Sequence, residues 1–153
     1  MNPMKFVVGT TLLAVFLPSV VLAQQTSDQA LSCLAQHRCD STYLPDLYAS
    51  DPGLKGALLG AFKTSHVKKP YWMPEGVTSV TATTIDGQNF LLGSFCEPHN
   101  CPNRIDFLYQ PKQQLVVGLY TPILQSGKQG KAVWLGSPTP AQRKVLMDQS
   151  NPQ

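Results

Sequence analysis

The chain has 153 residues with 12 basic against 9 acidic side chains, a formal net charge of +3, which is too weak a bias to argue for a nucleic-acid partner. The length is that of one ordinary domain, and no repeat or low-complexity run breaks it. The nine acidic residues are scattered, without a paired-carboxylate or nucleophile motif, so the chain is expected not to be an enzyme.

Residues 1–23 have the shape of a signal peptide: Lys5 supplies one positive charge, and Phe6 to Val21 is apolar apart from Thr10, Thr11, Pro18 and Ser19. Val21-Leu22-Ala23 predicts cleavage after Ala23, leaving a single domain over 24–153 that starts at Gln24. A spanning helix needs roughly 20 consecutive apolar residues, whereas this run is shorter and carries Pro18, and no cysteine follows the cleavage point to take a lipid. The expectation is export to the periplasm with no membrane anchor. Lys5 is the only charge lost, so the mature chain keeps eleven basic and nine acidic residues.

In the mature segment, Ala30, Leu31, Leu34 and Ala35 predict a short helix over Ser27 to Ala35, capped by Ser27 or Asp28. Asp51-Pro52 reads as an N-cap followed by proline at the first helical position. Leu54, Ala57, Leu58, Ala61 and Phe62 line one face of the helix that follows. His66 to Gly76 is broken by Pro70 and Pro74, and its Tyr71, Trp72 and Met73 are expected to tuck onto the core. Five strands are predicted next, at Val80 to Ile85, Phe90 to Phe95, Ile105 to Tyr109, Leu115 to Thr121 and Lys131 to Leu135.

Asp86-Gly87 suits the positive backbone angles of a tight hairpin, although the loop is open to extension through Gln88 and Asn89. Pro111-Lys112-Gln113 joins the third and fourth strands, and links this short imply antiparallel neighbours. Gly136 to Pro140 stops the last strand, after which Thr139 and Pro140 open a closing helix carrying Ala141, Val145 and Leu146. The predicted class is α+β, an antiparallel five-stranded meander with helices covering one face. Trp72 and Trp134 are expected to serve as core aromatics, and His37 and His66 are assigned no site.

All four cysteines lie in the mature chain, and export would carry them to an oxidising compartment. Four cysteines allow three pairings; two close pairs far apart in the chain favour Cys33 with Cys39 and Cys96 with Cys101. The second pair would close Cys96-Glu97-Pro98-His99-Asn100-Cys101, a polar segment between two apolar strands that must protrude from the end of the sheet. Closing six residues contributes about 2 kcal/mol on the loop-entropy estimate, and Pro98 restricts the backbone ahead of His99. The expected result is a stiff tip presenting an imidazole. Three candidate ligands, Cys96, His99 and Cys101, fall short of the four a structural zinc site takes, and neither cysteine pair has the Cys-x-x-Cys spacing of redox catalysts. No metal or cofactor is expected.

This loop resembles that of the Ivy family, bacterial inhibitors of vertebrate lysozyme, whose hallmark is a disulfide-closed Cys-(Lys/Glu)-Pro-His-(Asp/Asn)-Cys segment. All six positions fit. The likeness extends over roughly Lys69 to Met147 through Lys69-Pro70-Tyr71-Trp72, Gly118-Leu119-Tyr120 and Val133-Trp134-Leu135. It implies a central antiparallel sheet flanked by helices, with the loop histidine entering the lysozyme active site to meet its two catalytic carboxyl groups. That role falls by resemblance to His99, with Glu97, Pro98 and Asn100 as loop neighbours and the Cys96–Cys101 bridge as stiffener. One lysozyme carboxyl is protonated and the other ionised, and an imidazole offers both an acceptor and a donor.

The implied partner is a c-type lysozyme or a related muramidase, and homodimers occur in the family. Some members have lysine and aspartate where this chain has Glu97 and Asn100. The alternative reading is a regulator of the bacterium's own lytic transglycosylases, with weak or no action on host lysozyme. The Cys33–Cys39 pair is not a general family feature and is expected to be structural.

Overall fold

A computed structural model describes residues 26–40, 42–76 and 79–151; the expected signal peptide and its cleavage point lie outside them. The described elements are α1 (Ser27–Ala35), β1 (Thr42–Tyr43), α2 (Leu44–Ser50), α3 (Pro52–Thr64), β2 (Ser79–Ile85), β3 (Gln88–Glu97), β4 (Asn100–Gln110), β5 (Leu115–Thr121), β6 (Val133–Leu135) and α4 (Pro140–Ser150). The class is α+β. The strands form one antiparallel sheet in the order β1-β2-β3-β4-β5-β6, a meander in which every strand pairs with its chain neighbour.

The sheet therefore has six strands where the sequence predicts five. The extra strand is β1, whose two residues, Thr42 and Tyr43, pair with Val80 and Ser79. Two residues carry no readable alternation, and neither is α2 legible, since its seven residues start at Leu44-Pro45 without a side-chain cap.

The apolar residues alternate across the sheet, and that alternation builds two cores. On one side Phe95, Ile105, Phe107 and Tyr109 pack with Ala30, Leu54, Leu58 and Phe62 from α1 and α3. On the other, Phe90, Leu108, Val117 and Leu119 pack with Leu146 of α4. Helices thus cover both faces, not the single face expected. Ile105 to Tyr109 are all buried because each face of β4 meets a helical layer. An antiparallel strand with one wet face would show polar residues at every second position.

Gly93 lies opposite Phe107 in the β3–β4 ladder. A Cβ on Gly93 would come within 2.7 Å of the Phe107 ring, so the missing side chain lets that ring lie across the neighbouring strand.

The caps follow the sequence with one shift. α1 is capped by Thr26, not by Ser27 or Asp28: the Thr26 hydroxyl accepts from Gln29 N while the Gln29 side chain accepts from Thr26 N, a closed capping box. Asp51 caps α3 with Pro52 next to it, and Thr139 caps α4 in a second box with Gln142. The Asp86-Gly87 turn is the two-residue version, with φ 50° and 75° and Ile85 paired directly to Gln88. Positive angles at both central residues are those of a type I′ turn.

His37 and His66 also have positive φ, 51° and 55°. Each is the residue just past a helix end: His37 N donates to Leu34 O and Arg38 N to Cys33 O, and His66 N donates to Lys63 O and Val67 N to Phe62 O. Those are the paired bonds of a Schellman motif, so the two histidines close α1 and α3. Cys33 and Cys39, whose Cα atoms are 5.6 Å apart, bridge the first of these turns.

Asp51 joins α3 to α1. Its Oδ1 accepts from Gly53 N at 2.8 Å and Leu54 N at 3.1 Å, and its Oδ2 from Ser27 N at 2.9 Å. Burial alone would raise its pKa, but hydrogen bonds from Ser27, Leu54 and Gly53 outweigh it and hold the carboxyl below its ordinary value. Asp51→Ala is expected to cost about 1–2 kcal/mol by urea unfolding at neutral pH. Because the folded pKa is depressed, this stabilisation is complete above the unfolded carboxyl pKa and is lost as pH falls through the folded value. The difference between the two proteins should therefore narrow in acid.

Candidate functional site: the bridged hairpin tip

Beyond the two-sided core, β3 and β4 run on together past the sheet. The ladder is regular down to Cys96 opposite Arg104, and then jumps so that Glu97 faces Asn100. Cys101, Pro102 and Asn103 are the surplus residues of this bulge. Pro102 has no N–H to offer a ladder, so a bulge is a place a strand accepts it. Cys96 and Cys101 lie at disulfide distance across the irregularity, with Cα atoms 4.8 Å apart. The segment expected as a loop is accordingly a hairpin extension closed by a two-residue turn, Pro98-His99.

His99 has φ 62° and is exposed at the turn. Proline's fixed negative φ followed by a positive φ is the sign pattern of a type II turn, where glycine is the usual second residue. A non-glycine side chain there carries a backbone cost of roughly 1–2 kcal/mol. The surrounding structure has to over-determine such a conformation for it to persist.

Glu97 supplies that constraint. Its Oε1 accepts from the Tyr71 hydroxyl at 2.6 Å, and its Oε2 accepts from Asn100 Nδ2 at 2.6 Å and Asn103 Nδ2 at 2.9 Å. These bonds, from Tyr71, Asn103 and Asn100, hold the Glu97 carboxyl below the ordinary glutamate pKa, and the hydrogen bond to Glu97, with that carboxylate's charge, raises the Tyr71 phenol. The carboxylate is thus the internal organiser of the tip, tying both strands and the preceding segment together. Of the sequence-predicted residues, Cys96, Glu97, Pro98, His99, Asn100 and Cys101 all come together here, and Cys33 and Cys39 stay apart at the end of α1.

Two participants were not anticipated as site residues, Tyr71 and Asn103. Tyr71 was expected on the core, yet it is 85% exposed while Trp72 and Met73 beside it are 1% and 2% exposed. A turn over 70–73 separates them: Met73 N donates to Pro70 O, and Lys69 Nζ donates to the carbonyls of Pro70 and Met73. Three consecutive large side chains cannot all face inward from so tight a turn. Neither tyrosine nor asparagine carries a spacing signal that would have found these contacts.

At the base of the hairpin, Asp106 is fully buried and meets Arg104 Nη2 at 2.5 Å and Nε at 3.2 Å, while the Ser94 hydroxyl donates to the same carboxylate oxygen. Arg104 Nη2 also donates to Ser94 Oγ at 3.1 Å. Desolvation raises the Asp106 pKa and outweighs the opposing effects of Ser94 and Arg104. Beside this pair a cavity of about 580 Å³ opens between the hairpin base and the end of α4, lined by Arg104, Thr121, Trp134 and Met147 among others. Arg143 lies over the Trp134 ring, 5.1 Å from its centroid.

No cluster of three or more metal-ligating side chains occurs among the described residues, and no described helix is long and apolar enough to cross a membrane. No family model and no curated protein matches the chain.

The Arg104–Asp106 pair generates a test. Arg104→Ala strands a buried carboxylate and is expected to cost about 3 kcal/mol at neutral pH, the low end for a broken buried pair because the arginine is partly exposed. An aspartate whose folded pKa is raised favours the folded state most when protonated, and that advantage is lost as pH rises through the folded value. The variant's deficit should therefore begin to shrink while the pH is still above the ordinary aspartate value, as it falls through the raised folded pKa, as read by denaturant unfolding across pH.

Proposed function

We propose that this chain is an exported inhibitor of muramidases, which occludes the enzyme's active site with the bridged tip and presents His99 to its catalytic carboxyl pair. The observation that carries the reading is the fixed position of His99: an exposed imidazole on a positive-φ turn, braced from behind by a carboxylate with three donors. Ordering a side chain at an interface costs about 0.5–1.5 kcal/mol, and a pre-set tip avoids part of that. A neutral imidazole satisfies a protonated and an ionised carboxyl together by donating through one nitrogen and accepting through the other. No bond is broken in this scheme; the inhibitor occupies the cleft.

The resemblance of Cys96 to Cys101 to the Ivy loop supports the same reading and the same antiparallel architecture. Two cysteine pairs at disulfide distance accord with an oxidising compartment such as the periplasm. The candidate targets are a c-type lysozyme or a lytic transglycosylase of the producing bacterium, and the same tip serves either.

The oxidised protein, titrated against both enzymes on cell-wall substrate, is expected to inhibit at least one of them stoichiometrically. His99→Ala should weaken that inhibition by at least about 30-fold, the scale of a central hot spot. Reduction of the bridges should weaken it as well. An absence of inhibition across both enzyme classes would overturn the reading.

A further inference from the structure

The tip does not stand alone, because Tyr71 projects beside it from a different part of the chain. Single exposed aromatics are ordinary on protein surfaces, so exposure by itself assigns nothing. What sets Tyr71 apart is how firmly an exposed ring is held. The neighbours Trp72 and Met73 are buried in the first core, and the Lys69 ammonium ties the carbonyls of Pro70 and Met73. Farther on, Gly76 passes so close to β3 that a Cβ would sit 2.5 Å from the Cys96 carbonyl oxygen, at φ 104°. The segment carrying the tyrosine is therefore seated on the base of the bridged hairpin, and the phenol is hydrogen-bonded to Glu97, two residues from His99.

Tyrosine offers a large amphipathic contact with little rotamer freedom to lose, which is why it recurs at binding hot spots. Here the backbone beneath the ring is already ordered, so contact through it requires little further ordering. From this arrangement we infer that the binding surface is two-pronged: the Tyr71 ring is a second anchor, which enters the sugar-binding cleft of the muramidase next to the point occupied by His99. The inference rests on the muramidase reading and deepens it. A glycan-cleaving cleft is a furrow that holds consecutive pyranose rings on either side of its carboxyl pair. A flat phenol ring, close to a pyranose in breadth, fits a neighbouring sugar position. The inhibitor then excludes substrate from more than one sugar position.

The test is inhibition of a muramidase by the wild-type protein, Tyr71→Ala and Tyr71→Phe, with thermal melts confirming that all three fold. Tyr71→Ala is expected to weaken inhibition by about tenfold or more. Tyr71→Phe keeps the ring and loses only the hydroxyl that braces Glu97, so it should weaken inhibition several-fold less than Tyr71→Ala does. Equal inhibition by wild type and Tyr71→Ala would overturn the second anchor while leaving the His99 reading intact. Equal losses in Tyr71→Ala and Tyr71→Phe would also overturn it, by assigning the effect to the bond with Glu97 and not to the ring. A wild-type protein inactive against lysozymes and lytic transglycosylases alike would overturn the inference and the reading together.

Discussion

The close packing of β3 on β4 is the constraint on which the rest of the structure depends. Gly93 gives up its side chain so that the Phe107 ring can lie over it, and Phe107 stacks in turn on Phe95 with ring centroids 5.7 Å apart. A hairpin filled in this way from both faces has little freedom to twist or slip, since moving the register by one residue would exchange its two buried faces. The continuation beyond the core inherits that rigidity. Cys96 and Arg104 are the last regular pair, and the bulge begins directly beyond them.

Past that point the chain replaces packing with polar bonds. Glu97 gathers donors from β4 and from the segment around Tyr71, and the Cys96–Cys101 pair spans the bulge. One polar atom in this region, the Asn103 Oδ1, is buried without a hydrogen-bond partner among the described residues. Lower down, Arg104 offsets the charge of Asp106, although Asp106 Oδ2 likewise has no described partner. Asn103 is itself part of the bulge where the ladder is broken, and Asp106 lies three residues further along β4. The cost of each falls on the native state and is offset by the apolar burial beneath them.

Much of this was legible in the sequence because it follows from period and punctuation. β5 runs over Leu115–Thr121, the bounds its run of β-forming residues predicts, and Asp51-Pro52, Thr139-Pro140 and Asp86-Gly87 mark their caps and turn by chemistry that acts within four residues. What escaped depends on contacts between distant residues. β1 exists only because Thr42 and Tyr43 meet β2, and the coverage of both faces depends on α4 crossing behind β4 and β5. The site divides in the same way. The loop residues are contiguous and readable, whereas Tyr71 reaches Glu97 across 26 positions, and its outward orientation is decided by a tight turn that no hydrophobic pattern reveals.

Charge bears on how such a tip would select a partner. Without the expected signal segment the chain keeps eleven basic and nine acidic residues, so its field offers little long-range steering toward a basic enzyme. Nearer the tip the charges are already spoken for: Glu97 is ringed by its own donors, and Arg104 faces Asp106. Recognition on the proposed reading must then come from shape and from short-range hydrogen bonds, which set the dissociation rate more than the encounter rate. A pre-formed tip suits that regime, because rigidity lengthens residence without changing how often the partners meet. His37 and His66 show the contrast within the same chain. Both share the backbone region of His99, but their helices use that geometry to close their own ends. At His99 the turn closes the ladder behind it and leaves the imidazole exposed beyond the last strand pair.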